Sequence, residues 1–304
     1  MLQVEKVSRV FGDTKVLDDI SFDVSPGRLT GFVGANGAGK TTTMRIILGV
    51  LGAHSGEVRW RSGPVTQRER QRFGYMPEER GLYPKMKVAE QITYLGRLHG
   101  LSASTAAANT AALLERLDLA GRAEDPVEKL SLGNQQRAQV AAALVHDPEF
   151  LMLDEPFSGL DPIAVEVVLD ALRERAAAGV PVLFSSHQLD VVERLCDELV
   201  IIADGRIVAK GARDELRRQF GSAQFEIVVG SDAGWIRDLP DVRVIELDGP
   251  RAVFEFADRS RSAAAVDPAA RPEQQVLATA LGHGTVHSFA PVVPSLSEIF
   301  RELV

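Results

Sequence analysis

Apolar residues along this chain change their spacing in a regular order. Val4 to Val10 and Leu17 to Val24 alternate or run apolar in the manner of strands. Pro26-Gly27 marks a turn, and Leu29 to Val33 is a short apolar strand. A helix is expected from about Thr41 to Leu48. Glu57 to Tyr75 is polar and Arg-rich, with short strand signals. From Val88 to about Leu117 the spacing turns helical: Val88, Ile92, Leu95 and Leu98 form one stripe, then Leu113, Leu114 and Leu117. The alanine run around Ala106 fits the same helical stretch. A second helical stretch follows Ser131 and stops near Asp147-Pro148. Phe150 to Leu153 is apolar throughout, as expected of a parallel strand covered on both faces. Helix Pro162–Ala178, strand Val182–Phe184, helix Gln188–Leu195 and strand Leu199–Ala203 extend the α/β alternation. Asp204-Gly205 then turns the chain into a hairpin with Arg206 to Lys210.

The pattern shifts near Phe220-Gly221-Ser222, which predicts a boundary between a domain at 1–220 and a smaller one at 221–304. The second part reads as strand Phe225–Val229, helix Ala233–Leu239, strand Val242–Leu247, an Asp248-Gly249 turn and strand Arg251–Phe256. Helix Glu273–Leu281 and strand Thr285–Phe289 follow a loose Ala/Pro/Arg-rich loop from Ser260 to Pro272. That β-α-β-β-α-β order is the ferredoxin-like α+β motif. Ser295-Leu296-Ser297-Glu298 reads as a capping box for a last helix carrying Ile299, Phe300 and Leu303.

Composition narrows the class. The 304 residues are 45% hydrophobic and 25% charged, which suits a globular protein with a full core. The net charge of −8, from 34 basic and 42 acidic residues, argues against nucleic acid as a partner. The single cysteine, Cys196, excludes an internal disulfide framework and is read as a core filler in an amphipathic helix. No apolar run approaches the roughly 18 residues of a membrane span. The acidic, strand-like Met1 to Glu5 is unlike a signal peptide, so a membrane role requires another subunit.

The sharpest chemical signal is Gly34-Ala35-Asn36-Gly37-Ala38-Gly39-Lys40-Thr41, which fits the phosphate-loop pattern G-x-x-x-x-G-K-[ST]. A strand runs into it and a helix, beginning with Thr41 and Thr42, runs out. The glycines let backbone N–H groups converge on phosphate oxygens, and the helix N-terminus adds partial positive charge. Lys40 is expected to reach the β- and γ-phosphates, and the Thr41 hydroxyl to hold Mg²⁺. A phosphate loop also needs a carboxylate for the metal and a group to handle the attacking water. Asp154 and Glu155 end the apolar run Phe150–Leu153 at the strand edge where open α/β sheets bind ligands. Asp154 is expected to orient the metal and Glu155 to act as general base. His187, two residues past Ser185, stands at another strand end and is placed to reach a γ-phosphate.

At this point the chain resembles the nucleotide-binding subunits of ATP-binding cassette (ABC) transporters, over residues from about 1 to 220. Leu130-Ser131-Leu132-Gly133-Asn134-Gln135-Gln136-Arg137 is similar to the family signature L-S-G-G-Q, with Leu132 in place of a glycine and Asn134 in place of the glutamine. The residues alone read Ser131 as a helix cap. The resemblance implies that Ser131, Gly133 and Asn134 clasp the γ-phosphate of ATP held by a second copy of the chain. It also implies that Phe11 stacks on adenine, the alternative being a buried aromatic at a strand end. It makes Ser158-Gly159-Leu160-Asp161 a loop coupling two sites across a dimer, and His187 a switch residue. Glu78 stands where the family carries a lid-coupling glutamine, which places a further carboxylate near Mg²⁺.

The implied fold is a P-loop NTPase of the ABC type: a RecA-like core, an antiparallel β subdomain and a helical subdomain at about 80–147, followed by the ferredoxin-like domain. The implied activity is ATP hydrolysis that powers transport through an integral-membrane subunit by ATP-driven closure of a homodimer at the cytoplasmic face of the membrane. The segment Glu78 to Pro84 and the ending Pro294 to Phe300 resemble the export-type branch, whose members often carry an extra C-terminal domain. Leu82, Tyr83 and Met86 beside Pro84 would form a groove for a partner helix or pack within the helical subdomain. Two alternatives stay open: a cassette ATPase with no membrane partner, and a nucleotide-gated regulator that does not hydrolyse. The C-terminal domain is read as a dimer brace, a ligand site or a membrane-subunit contact. His283 and His287 lack the clustered companions of a metal site.

Overall fold

The alternation at the start of the chain builds an antiparallel hairpin of β1 (Leu2–Phe11) and β2 (Thr14–Val24), and β3 (Leu29–Val33) follows as a fully buried strand. Helix α1 (Lys40–Ile47) leaves the phosphate loop. The Arg-rich stretch holds β4 (Ser55–Trp60), the two-residue β5 (Gly63–Pro64), the single turn α2 (Gln67–Arg70) and β6 (Phe73–Met76). The chain then forms α3 (Val88–Leu98), α4 (Ala103–Arg116), α5 (Leu132–Leu144), β7 (Phe150–Leu153) and α6 (Pro162–Ala177). It continues through β8 (Val182–Ser186), α7 (Leu189–Leu195), β9 (Glu198–Ala203), β10 (Arg206–Ala212) and α8 (Arg213–Phe220). Last come β11 (Gln224–Val229), β12 (Val242–Asp248), β13 (Arg251–Phe256), α9 (Pro272–His283) and β14 (Val286–Val292). This computed structural model describes residues 1–79, 81–187, 189–220, 224–256 and 272–292.

The chain divides into two compact units, Met1–Arg213 and Asp214–Val304. In the first, an antiparallel sheet of order β2-β1-β4-β5 accompanies a six-stranded sheet of order β10-β9-β3-β8-β7-β6. In the larger sheet β9, β3, β8, β7 and β6 run parallel, while β10 returns antiparallel through the Asp204-Gly205 turn. Strands β3, β7 and β8 are buried at every position, which explains why their sequences are mostly apolar instead of alternating. The core between the sheets is aromatic: Trp60, Phe73 and Phe150 meet with ring centroids 5.0 to 5.9 Å apart.

The long helical stretch expected over Val88–Leu117 is two helices. Gly100 takes φ of +94° and turns the chain, and Ser102 caps α4 by accepting from the Thr105 N–H. Leu98, the last member of the expected stripe, is exposed because it sits at this break. Helix α8 escapes the apolar pattern because one apolar position, Leu216, is buried on it, while Asp214 and Glu215 in the first turn and Arg217 and Arg218 in the last suit its dipole.

The second unit is a four-stranded antiparallel sheet of order β12-β13-β11-β14, the strand order of a ferredoxin-like motif. Its first crossover differs from expectation. The helix expected over Ala233–Leu239 is a 3-10 turn, Gly234–Asp238. The Asp232 carboxylate accepts from the Gly234 N–H at 2.7 Å and Pro240 follows at once, so the segment is too short to nucleate an α-helix. The loop expected from Ser260 up to residue 271, and the capped helix expected around Ser295 to Leu303, lie outside the described residues; Pro272 itself begins α9.

Phe150 fixes the aromatic core from the middle of β7, with no exposed surface. Phe150→Ala is expected to cost about 3–5 kcal/mol. Urea unfolding followed by Trp60 fluorescence, in a chain carrying Trp235→Phe, measures it.

Candidate nucleotide-binding site

The sheet order decides what meets at the site. Strand β8 lies between β3 and β7, so the loop after β3 and the acids after β7 flank it. Gly39 takes φ of +112° at the head of α1, where no side chain caps the helix, and the first-turn amides are left for an incoming anion. Gly34 has no room for a side chain: a Cβ there would lie 2.4 Å from the Ile202 carbonyl oxygen.

A cleft of about 240 Å³ opens over the loop, lined by Asn36, Gly37, Gly39, Lys40, Thr41, Thr42, Glu78, Asp154 and Glu155. Gly34, Ala35 and Ala38 form the rest of the loop, and the Ala38 N–H donates to the Ala35 carbonyl at 3.1 Å. The Lys40 ammonium donates to the Gly34 carbonyl at 2.7 Å and the Ala35 carbonyl at 3.2 Å. Burial pushes Lys40 down from its ordinary value, against the opposing pull of the Glu155, Asp154 and Glu78 carboxylates. Burial and the Asp154 carboxylate raise the Tyr75 hydroxyl to about 12, so it stays protonated.

Asp154 is 1% exposed and its oxygens are divided. Oδ2 accepts from the Thr41 hydroxyl at 3.1 Å, and Oδ1 accepts from the Ser185 hydroxyl. Glu155 sits in the left-handed region with φ of +53°. Its N–H donates to Ser185 Oγ at 2.9 Å, and its carbonyl accepts from Gln136 Nε2 at 2.9 Å. His187 Nδ1 lies 2.9 Å from Glu155 Oε1. Gln139 Nε2 donates to the Glu79 carbonyl at 3.2 Å, which ties the strand-end loop bearing Glu78 to α5. The structure thus brings Lys40, Thr41, Asp154, Glu155, His187 and Glu78 to one place.

The other expected residues stand apart. Ser131, Gly133 and Asn134 do not line this cleft. Ser131 caps α5, accepting from the Asn134 N–H at 3.3 Å, and the Asn134 side-chain oxygen Oδ1 accepts from the Arg137 guanidinium. Leu132, at the position where a glycine was expected, is exposed. Ser158 donates its N–H to the Glu155 carbonyl at 3.2 Å, and Asp161 caps α6 by accepting from the Ala164 N–H at 2.9 Å. Phe11 is 44% exposed, with the Arg9 guanidinium 4.7 Å from its ring centroid, so the buried strand-end alternative does not hold. Cys196 is buried, and its thiol is pushed up to about 12 by burial, as expected of a packing residue.

Sequence reading missed three side chains here: Ser185, Gln136 and Gln139. Gln136 and Gln139 had no signal, since glutamines on a helix read as solvated. The signal for Ser185 was a hydroxyl residue at the buried end of a strand two residues before His187.

A phosphate loop, a strand-end acid pair and a parallel sheet with this order define a P-loop ATPase cassette. Comparison with known proteins agrees. Residues 17–158 match the ABC transporter family, and residues 211–304 match the C-terminal domain of DrrA1-3-like ATP-binding proteins. The ABC transporter ATP-binding protein YhaQ of Bacillus subtilis (strain 168) is 40% identical across the whole chain and 98% of its own length. The Nod factor export ATP-binding protein I of Paraburkholderia xenovorans (strain LB400) is 37% identical over 82% of this chain and 83% of its own. A solved ATP-binding subunit of an ABC transporter superposes with a TM-score of 0.67, at 33% identity, over 73% of this chain and 93% of its own. The chain therefore belongs to the ATP-binding subunits of ABC transporters, a family of ATPases.

Gly34→Ala is expected to push the loop off Ile202 and weaken nucleotide binding by more than about tenfold, a loss of roughly 1.4 kcal/mol. Titration with a fluorescent ATP analogue checks it.

Proposed function

We propose that this chain binds ATP as a head-to-tail homodimer at the cytoplasmic face of the membrane and drives export through a separate integral-membrane subunit. The observation that carries the reading is the joined set Lys40, Thr41–Asp154 and Glu155–His187 in one cleft. A regulator that only binds nucleotide has no use for the buried Glu155 and its histidine. The name of the Nod factor export relative supports export. Among the described residues no helix is long and apolar enough to cross a membrane.

The residues take these roles. Loop amides from Gly34 to Thr42 hold the α- and β-phosphates, and Lys40 exchanges its two carbonyl partners for phosphate oxygens. Phe11 offers its exposed ring to adenine. Thr41 and Asp154 would hold Mg²⁺: a hydroxyl and a carboxylate oxygen 3.1 Å apart are the hard donors that ion takes. Glu78 lines the same cleft and would add a further carboxylate near the ion. Bound there, Mg²⁺ would supply positive charge to the transferring phosphoryl group. Glu155 takes the proton of the attacking water, and His187 steadies its carboxylate.

Ser131, Gly133 and Asn134 complete the site of the opposite chain, and the α5 N-terminus offers its dipole to the γ-phosphate. Ser158 and Asp161 lie between the two sites and couple them. ATP favours the closed dimer because its γ-phosphate has partners on both faces only there, and hydrolysis releases it. The motion reaches the membrane subunit through the groove of about 660 Å³ lined by Tyr83, Pro84, Lys85, Met86, Tyr94 and Glu128.

Glu155→Gln is expected to keep ATP binding and lower turnover by at least about 10²-fold, while Lys40→Ala loses both. Steady-state ATPase assays at saturating Mg-ATP, paired with nucleotide titration, measure this. Near-normal hydrolysis by the Glu155 variant would remove the base assignment. The export reading is tested separately. Glu155→Gln protein held in ATP is purified from its own membranes, and a stoichiometric polytopic partner is expected with it.

A further inference from the structure

We propose that Ser185 is a positioning residue of the ATPase site, holding Asp154 and Glu155 in their working geometry at once. The inference rests on the reading of those two acids given above. Ser185 is fully buried on β8, the strand between the two that supply the site. A hydroxyl has one proton to give and two lone pairs. An ionised carboxylate only accepts, so the proton goes to Asp154 Oδ1 and a lone pair takes the Glu155 N–H at 2.9 Å.

Each bond has a separate consequence. Tying Oδ1 sets the rotation of the Asp154 carboxylate, which leaves Oδ2 facing Thr41 in the cleft. Ligating carboxylates are held by such outer partners wherever a metal site is well ordered. The second bond acts on the backbone. Glu155 is one of eight described non-glycine residues with positive φ, a conformation that costs energy for a residue with a Cβ and so needs support from its surroundings. Ser185 holds its N–H, and Gln136 holds its carbonyl from α5, so the peptide is fixed at both ends. The side chain is thereby aimed at His187 and the cleft. One buried hydroxyl links the proposed metal carboxylate to the proposed base.

The test compares Ser185→Ala, Ser185→Cys, Ser185→Thr and Asp154→Asn in the full chain. A fluorescent ATP analogue is titrated with and without Mg²⁺, and turnover is measured alongside. Ser185→Ala is expected to bind nucleotide normally without metal. Its Mg²⁺ requirement should rise, and its kcat fall, by about 10- to 100-fold. Ser185→Cys fills the same space with a weak donor and should share the defect, whereas Ser185→Thr keeps the hydroxyl and should restore function. Normal metal dependence and turnover in Ser185→Ala, beside a clear defect in Asp154→Asn, would overturn the positioning role alone. So would an equal loss of metal-free binding in all three Ser185 variants, which marks a packing role. Normal metal dependence in Asp154→Asn would remove the metal assignment itself, and the positioning role with it.

Discussion

The site depends on one buried carboxylate that joins three neighbouring strands. Asp154, at the end of β7, accepts from Thr41 beyond β3 and from Ser185 on β8. A charge buried to this degree is costly unless several donors share it, and here two hydroxyls do. That requirement constrains the sheet. The three strands must be adjacent and in register at their C-terminal ends, and the pairing of β3 with β8 and of β8 with β7 provides it. Phe32 and Phe150 are fully buried in the core between the sheets and Phe184 packs edge-on against Phe157, and this packing holds the strands at the spacing the hydroxyls need.

The same arrangement explains why a single chain is only part of the proposed machine. The cleft presents loop amides, an ammonium and acids on one side and lies open on the other. The helix capped by Ser131 begins outside the cleft, yet it is wired to the cleft from behind. Gln136 reaches the Glu155 carbonyl, and Gln139 reaches the backbone beside Glu78. Helix α5 thus contacts both the residue proposed as base and the loop that bears Glu78.

Much of this was legible in the sequence, for identifiable reasons. The phosphate loop is local in sequence, so Gly34 to Thr41 announce themselves. Asp154 and Glu155 are legible because a strand covered on both faces is continuously apolar, and two acids at its end stand out. The C-terminal strands were legible by alternation, and their order follows from it. What escaped was set by long-range contact or by very local competition. Ser185, Gln136 and Gln139 matter through partners 19 to 60 residues away, which spacing alone does not encode. The 3-10 turn at Gly234 was decided by a single aspartate and a following proline, and the break between α3 and α4 by Gly100. Helix α8 carries too few apolar residues to be seen by pattern.

In the proposed dimer each ATP is held by the phosphate loop of one chain and the Ser131 helix of another. The direct measurement mixes Lys40→Ala protein with Ser131→Arg protein and follows ATP hydrolysis as their ratio varies. Each alone is predicted to be inactive, and the mixture to regain activity that peaks near equal amounts, because only the mixed dimer assembles one intact site. Full hydrolysis by Ser131→Arg alone, or no recovery at any ratio, would contradict the shared site.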